Sequence, residues 1–238
     1  MNKSHWLVLL AVLALGAHAA VAADITGTVT LAGTPPPEKA ITPLKEDPNC
    51  GKSYAEMPTT HFYVVGPNKE LADVVVMLKG ISGKSTGASA PPAVLDQQGC
   101  LYHPQILAIQ TGQTLLVRTS DPGILHNVHT LPTVAGNKEE NQAQMPGSPD
   151  ISFTFPAAEN FLKFKCDVHP WMFAWVTVVD HPYFAVTGKD GSFTVKNVPP
   201  GKYTISALHR KAAPAGVDKE IEVTDGQTTK VDFTLDAK

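Results

Sequence analysis

The chain has 238 residues, with 19 Lys and Arg against 22 Asp and Glu, a net charge of −3, 18 Gly and 20 Pro. That balance is mild and slightly acidic, which argues against a nucleic-acid backbone as partner. No apolar run after Gly16 is long enough to cross a bilayer as a helix.

The N-terminus reads as an export signal. Lys3 supplies a short positive region, Trp6 to Gly16 an apolar run, and Ala20-Val21-Ala22 an A-x-A cleavage site. The run falls short of the about 17–25 residues of a spanning helix, so a retained anchor is the weaker reading. Residues 1–22 are expected to be removed. The remaining chain would be periplasmic or otherwise exported, starting near Ala23, and long enough for one large or two small domains.

Nearly every later segment reads as strand and turn. Ile25–Leu31 alternates and ends at Gly33 and three prolines. Residues 34–70 have weak periodicity and read as long loops. Ala72–Leu78 is a dense β-branched run suited to a buried strand. The Gly/Ser/Pro-rich stretch 80–92 marks a boundary. Short strands are then expected at Gln105–Ile109, Gln113–Arg118, Asn127–Leu131, Ile151–Phe155, Phe161–Cys166 and Phe173–Val179, with 132–150 as a surface loop. After Asp180-His181-Pro182 the character changes. Two turns, at Asp190-Gly191 and Pro199-Pro200-Gly201, feed strands, and Lys219–Val223 and Lys230–Leu235 complete the set. No helix longer than a turn or two is suggested after residue 22.

The chemistry concentrates in Cys166-Asp167-Val168-His169-Pro170-Trp171-Met172. A thiolate, an imidazole and a thioether at three-residue spacing suit copper better than other common metals. One imidazole is missing, and His126, which follows the Asp121-Pro122-Gly123 turn and opens a strand, is placed to supply it. Three cysteines are an odd count for an oxidising compartment. With Cys166 on a metal, Cys50 and Cys100 are left to pair, against the alternative of a mispaired or idle thiol. His129 lies three residues beyond His126, so on a strand it faces the other way. It reads as an exposed polar residue, with an extra ligand as the alternative. His103, in Tyr102-His103-Pro104, reads as structural or surface, though it could approach the ligand loops.

On these residues, 91–181 resembles a cupredoxin. The Cys166-x-x-His169-x-x-Met172 spacing, with proline directly after the histidine, is similar to the short ligand loop of amicyanin. The resemblance implies one blue copper ion held by His126, Cys166 and His169, with Met172 as a weak axial ligand. It implies that Asn127 ties the ligand loops together, and that Phe164, Trp171 and Phe173 give apolar cover. It further implies that His169 reaches the surface as the electron gate, with Trp171 in a docking patch for redox partner proteins. The flanks, through Ile25-Thr26-Gly27-Thr28-Val29 and the DGSFTVKNVPPGKYTI stretch, resemble a carboxypeptidase regulatory-like domain, a transthyretin-type sandwich.

The expected fold is therefore all-β. A cupredoxin Greek-key sandwich (91–181) is inserted in, or joined to, a second sandwich split into 23–90 and 182–238; consecutive domains are the alternative. The expected function is single-electron transfer. The alternatives are a copper oxidoreductase with an open site and a copper-binding or storage module.

Overall fold

The computed structural model describes residues 21–238, so nearly all of the expected export signal lies outside the described residues. In chain order the strands are β1 (Ala23–Ala32), β2 (Val75–Lys79), β3 (Ala93–Gln98), β4 (Leu101–His103), β5 (Ile106–Gln110), β6 (Leu115–Thr119), β7 (His126–Leu131), β8 (Glu140–Gln144) and β9 (Ile151–Phe153). They continue as β10 (Glu159–Lys165), β11 (Phe173–Val179), β12 (Phe184–Val186), β13 (Ser192–Val198), β14 (Gly201–His209), β15 (Ala213–Val223), β16 (Thr229–Lys230) and β17 (Phe233–Asp236). One five-residue helix, α1 (Thr42–Glu46), and 3-10 turns at Cys50–Ser53 and Gly87–Ser89 are the helical structure among the described residues. The protein is all-β.

Four sheets form among the described residues, and chain order sorts them. Two draw on both ends of the chain: β13-β1-β16, with β17 also on β1, and β12-β2-β14-β15. The other two come wholly from 93–179, with orders β5-β11-β10-β7-β8 and β4-β3-β6-β9. Each pair of sheets encloses its own core. Ile25, Val29, Val76, Leu78, Val195 and Phe233 fill one. Leu95, Leu115, Val117, Val128, Phe153 and Phe164 fill the other. A third, smaller cluster of Val75, Ile106, Trp175 and Leu208 joins residues of the two groups of sheets.

Side-chain parity explains how the strands aim. On β7 the side chains of His126, Val128 and Thr130 are fully buried, while His129 lies on the opposite face. On β10 Leu162 and Phe164 point into the core, and Cys166 continues that parity one step past the strand. β11 uses both faces. Ala174, Val176 and Val178 join the core behind the ligand loop, while Trp175 joins the cluster between the two groups of sheets.

Three expectations change. Residues 132–150 contain a strand, β8, which pairs antiparallel with β7; its polar composition hid it because it is an edge strand with most side chains in solvent. The strand expected from Ala72 begins only at Val75, because Asp73 takes a left-handed φ of 60°. Residues 34–70 are loop apart from α1 and the turn at Cys50–Ser53, yet Leu44 and Cys50 are fully buried in the core that also holds Cys166.

Candidate metal centre

β7 and the hairpin between β10 and β11 bring three donors together. His126 Nδ1 lies 3.1 Å from His169 Nδ1, and Cys166 Sγ lies 3.9 Å and 3.7 Å from those two nitrogens. All three residues are buried. A triangle with these sides has a centre about 2.1 Å from each corner, within the ~2.0–2.3 Å range of metal–imidazole and metal–thiolate bonds. The residues therefore fit a metal ion. Met172 is also fully buried, in the same core cluster as Cys166. The loop is closed by its own backbone: Cys166 N–H donates to Met172 O at 3.1 Å, and Met172 N–H donates to His169 O at 2.9 Å.

Asn127 locks this loop to β7. Its Oδ1 accepts from Asp167 N–H at 2.7 Å, from Val168 N–H at 3.2 Å and from the Cys166 thiol at 3.3 Å. Its Nδ2 donates to Asp167 Oδ2 and Asn141 Oδ1. Phe164 is fully buried and packs edge-on to Phe153 and Phe155.

The electrostatics of the metal-free trio favour a thiolate. Burial raises the Cys166 thiol, but hydrogen bonds from the His126 and His169 rings and from the backbone N–H groups of Asn127 and His169 outweigh it and bring it down to about 6. Burial also works against charge on His126. The Asp121 hydrogen bond and the Cys166 sulfur prevail and raise it to about 9.

Asp121 escaped the sequence reading, where it served only as a turn residue before Pro122. Its Oδ2 lies 3.0 Å from His126 Nε2. The same carboxylate accepts from Gly99 N–H at 2.6 Å and Cys100 N–H at 2.8 Å. A carboxylate on the far nitrogen of a ligating imidazole fixes its tautomer and orientation. The usable signal was an acid placed five residues before the candidate ligand.

His169 does not reach the surface. It is 6% exposed. Cys50 and Cys100 form a disulfide with Cα atoms 5.6 Å apart, and both sulfurs lie within 4.8 Å of a His169 ring nitrogen. The expectation of a surface gate fails because segment 41–54 folds over the loop and the disulfide pins it there. Tyr54 Oη donates to Gly99 O at 2.7 Å, and Lys45 donates to Tyr54 O. Trp171, half-buried, stands 5.3 Å from the His169 ring and donates to Cys100 O at 3.1 Å.

Two other candidate histidines, His129 and His103, lie outside the trio. His129 does not join the trio: its Nδ1 meets Asp167 Oδ2 and its Nε2 meets Glu139 Oε1, both at 2.8 Å. Lys165 first, then His129, Asn141 and Asn127, hold the Asp167 carboxyl far below the usual range. His103 is exposed and lines a cavity beside Trp171.

Residues 169–236 match the family model of the carboxypeptidase regulatory-like domain. Solved structures similar to the chain include a copper-containing nitrite reductase from Thermus scotoductus SA-01, at 18% identity and TM-score 0.34, covering 38% of this chain. The chain spans 23% of that reductase. A purple cupredoxin from Nitrosopumilus maritimus is 22% identical with TM-score 0.31, covering 36% of this chain and 98% of its own. A mutant amicyanin in its Cu(I) form is 22% identical with TM-score 0.33, covering 43% and 97%. These neighbours are cupredoxins. No curated protein sequence matches the chain.

Proposed function

We propose that this chain is an exported mononuclear copper protein of the type 1 kind, carrying single electrons between redox partners. The observation that carries the reading is the donor triangle: one thiolate and two imidazole nitrogens, 3.1–3.9 Å apart and buried from water. Bound copper would supply a one-electron couple. His126, Cys166 and His169 would hold it, with Met172 as the weak fourth donor. Asn127 and Asp121 keep two of those ligands in place before any ion arrives. A closed structural zinc site takes four strong ligands, and a thioether is not one. The disulfide supports an oxidising compartment. Residues 91–181 are read as the copper-binding unit, set within a sandwich made of 23–90 and 182–238.

Copper(II) titration tests this. The expected result is an intense visible thiolate-to-copper(II) band at one equivalent, bleached reversibly by reductant and absent in Cys166→Ser. Colour that survives in Cys166→Ser, or no band in the unaltered protein, defeats the assignment.

A further inference from the structure

A cavity of about 580 Å³ opens beside the ligand loop, between segment 59–61, the β4–β5 connection and residues 187–189. That volume falls in the ~300–1,000 Å³ range of small-molecule sites. Leu101, Trp171 and Phe173 give it an aromatic and aliphatic wall, and Asp73, His61, His103 and Lys189 are among its polar groups.

Asp73 is the acid of this cavity. It is half-buried, and its side chain makes no hydrogen bond or ion pair among the described residues. Burial raises its carboxyl above the usual range, against the pull of His61. Both Asp73 and His61 hold left-handed backbone, with φ of 60° and 50°. Such conformations persist where surrounding structure imposes them, often at ligand sites.

We propose that this cavity binds a planar hydroxyaromatic molecule, its rings against Trp171 and Phe173 and its hydroxyl donating to the Asp73 carboxylate. A carboxylate without a partner makes a strong, charge-assisted hydrogen bond to a hydroxyl donor. An anionic ligand is opposed by Asp73. A cationic one is opposed by Lys189, which lines the same cavity. The flat apolar wall and a volume well above that of a single ring favour a fused ring system. The occupant would sit one side chain from the candidate centre, because Trp171 is 5.3 Å from His169. The site itself needs no metal.

Calorimetric titration of the metal-free protein with 2-naphthol and with 2-methoxynaphthalene tests the proposal, since only the first carries a donor. The expected result is saturable one-site binding of 2-naphthol, with at least tenfold weaker binding of the methyl ether. Asp73→Asn, a residue that tolerates left-handed backbone, should weaken 2-naphthol at least tenfold. The indole N–H resonance of Trp171 should shift on binding. Equal affinity for the two ligands, unchanged affinity in Asp73→Asn, a static Trp171 resonance or no saturable binding would each overturn the site. The ligand pair decides the matter even where the variant misfolds. Cys166→Ser, which removes the expected copper band, should bind 2-naphthol as the unaltered protein does; loss there would also overturn it. The two readings can thus fail separately.

Discussion

Among the described residues four histidines are buried, two in each region, and the two regions use them in opposite ways. In the sheets drawn from 93–179, His126 and His169 turn their Nδ1 atoms toward each other and toward Cys166, with no backbone donor between them. Near the sheets built from the chain ends, His181 donates from Nε2 to Leu78 O, and its Nδ1 accepts from Tyr183 N–H. His209 Nδ1 accepts from Ala212 N–H at 3.0 Å and Lys211 N–H at 3.3 Å. Burial alone pushes an imidazole toward its neutral form. It does so for His181, and, helped by the Arg210 charge, it takes His209 down to about 4. His126 goes the other way because a carboxylate and a thiolate face it. Burial does not tell a ligand from a structural histidine. What its free lone pair meets does.

Substitution should separate the pairs most sharply. His126→Asn or His169→Asn is expected to abolish the visible copper band. His181→Gln and His209→Gln should leave its position and intensity unchanged, while each costs about 1–3 kcal/mol of stability for the broken buried hydrogen bonds. Absorbance and urea melts read both outcomes. A band that persists in the His126 variant would dissolve the contrast.

The cover over His169 gives the next effect. Removing both Cys50 and Cys100 by substitution with Ala frees a loop of 50 residues' separation. Chain entropy values that closure at about 4 kcal/mol, and measured losses usually fall near 2–4 kcal/mol. The copper band should survive, because the trio is held by Asn127 and the hairpin. A metal-free His169 should become open to imidazole-modifying reagents. A melt unchanged within about 0.5 kcal/mol would mean that α1 and Tyr54 hold the cover without the bridge.

His209 should also weaken the fold in acid. His209 is held at about 4 in the fold against an unfolded value near 6.5. Below 6.5 the unfolded chain binds a proton that the folded chain refuses, so stability is complete above 6.5 and is lost as pH falls toward 4. The full loss is on the order of 3 kcal/mol. His209→Gln should flatten that part of the unfolding profile. An unchanged slope would place the proton uptake elsewhere.

Much of this was legible in the chain, for identifiable reasons. The loop 166–172 is local: three donors at fixed spacing, closed by backbone bonds, need no knowledge of the fold. His126 was reachable because it follows the Asp121-Pro122-Gly123 turn and opens a strand, and period-two parity set His129 on the opposite face. The cover was not legible. Ile41, Leu44 and Cys50 are scattered in a proline-rich segment without periodicity, and distant partners, Cys100 by the disulfide and Gly99 through Tyr54, fix where that segment lies. The β8 strand failed for the opposite reason, since pairing with β7 rather than any apolar pattern makes it a strand. His181 and His209 could not be recognised as structural either, because their partners are backbone groups, which every residue carries.

Asp121 offers the finest test of what makes His126 a ligand. Its carboxylate accepts from Gly99 N–H, Cys100 N–H and His126 Nε2, so it joins the disulfide turn to the outer nitrogen of the imidazole. Asp121→Asn keeps the shape but removes the charge, and it turns one acceptor into a donor facing a backbone N–H. If Asp121 positions and polarises His126, metal affinity measured by chelator competition should fall about 10–100-fold, the usual range for such partners. The reduction potential should rise as well, since a nearby anion favours the more highly charged metal state. Reduced stability with metal affinity and potential both unmoved would make Asp121 a turn residue only. His126 would then owe its role to Cys166 and His169 alone.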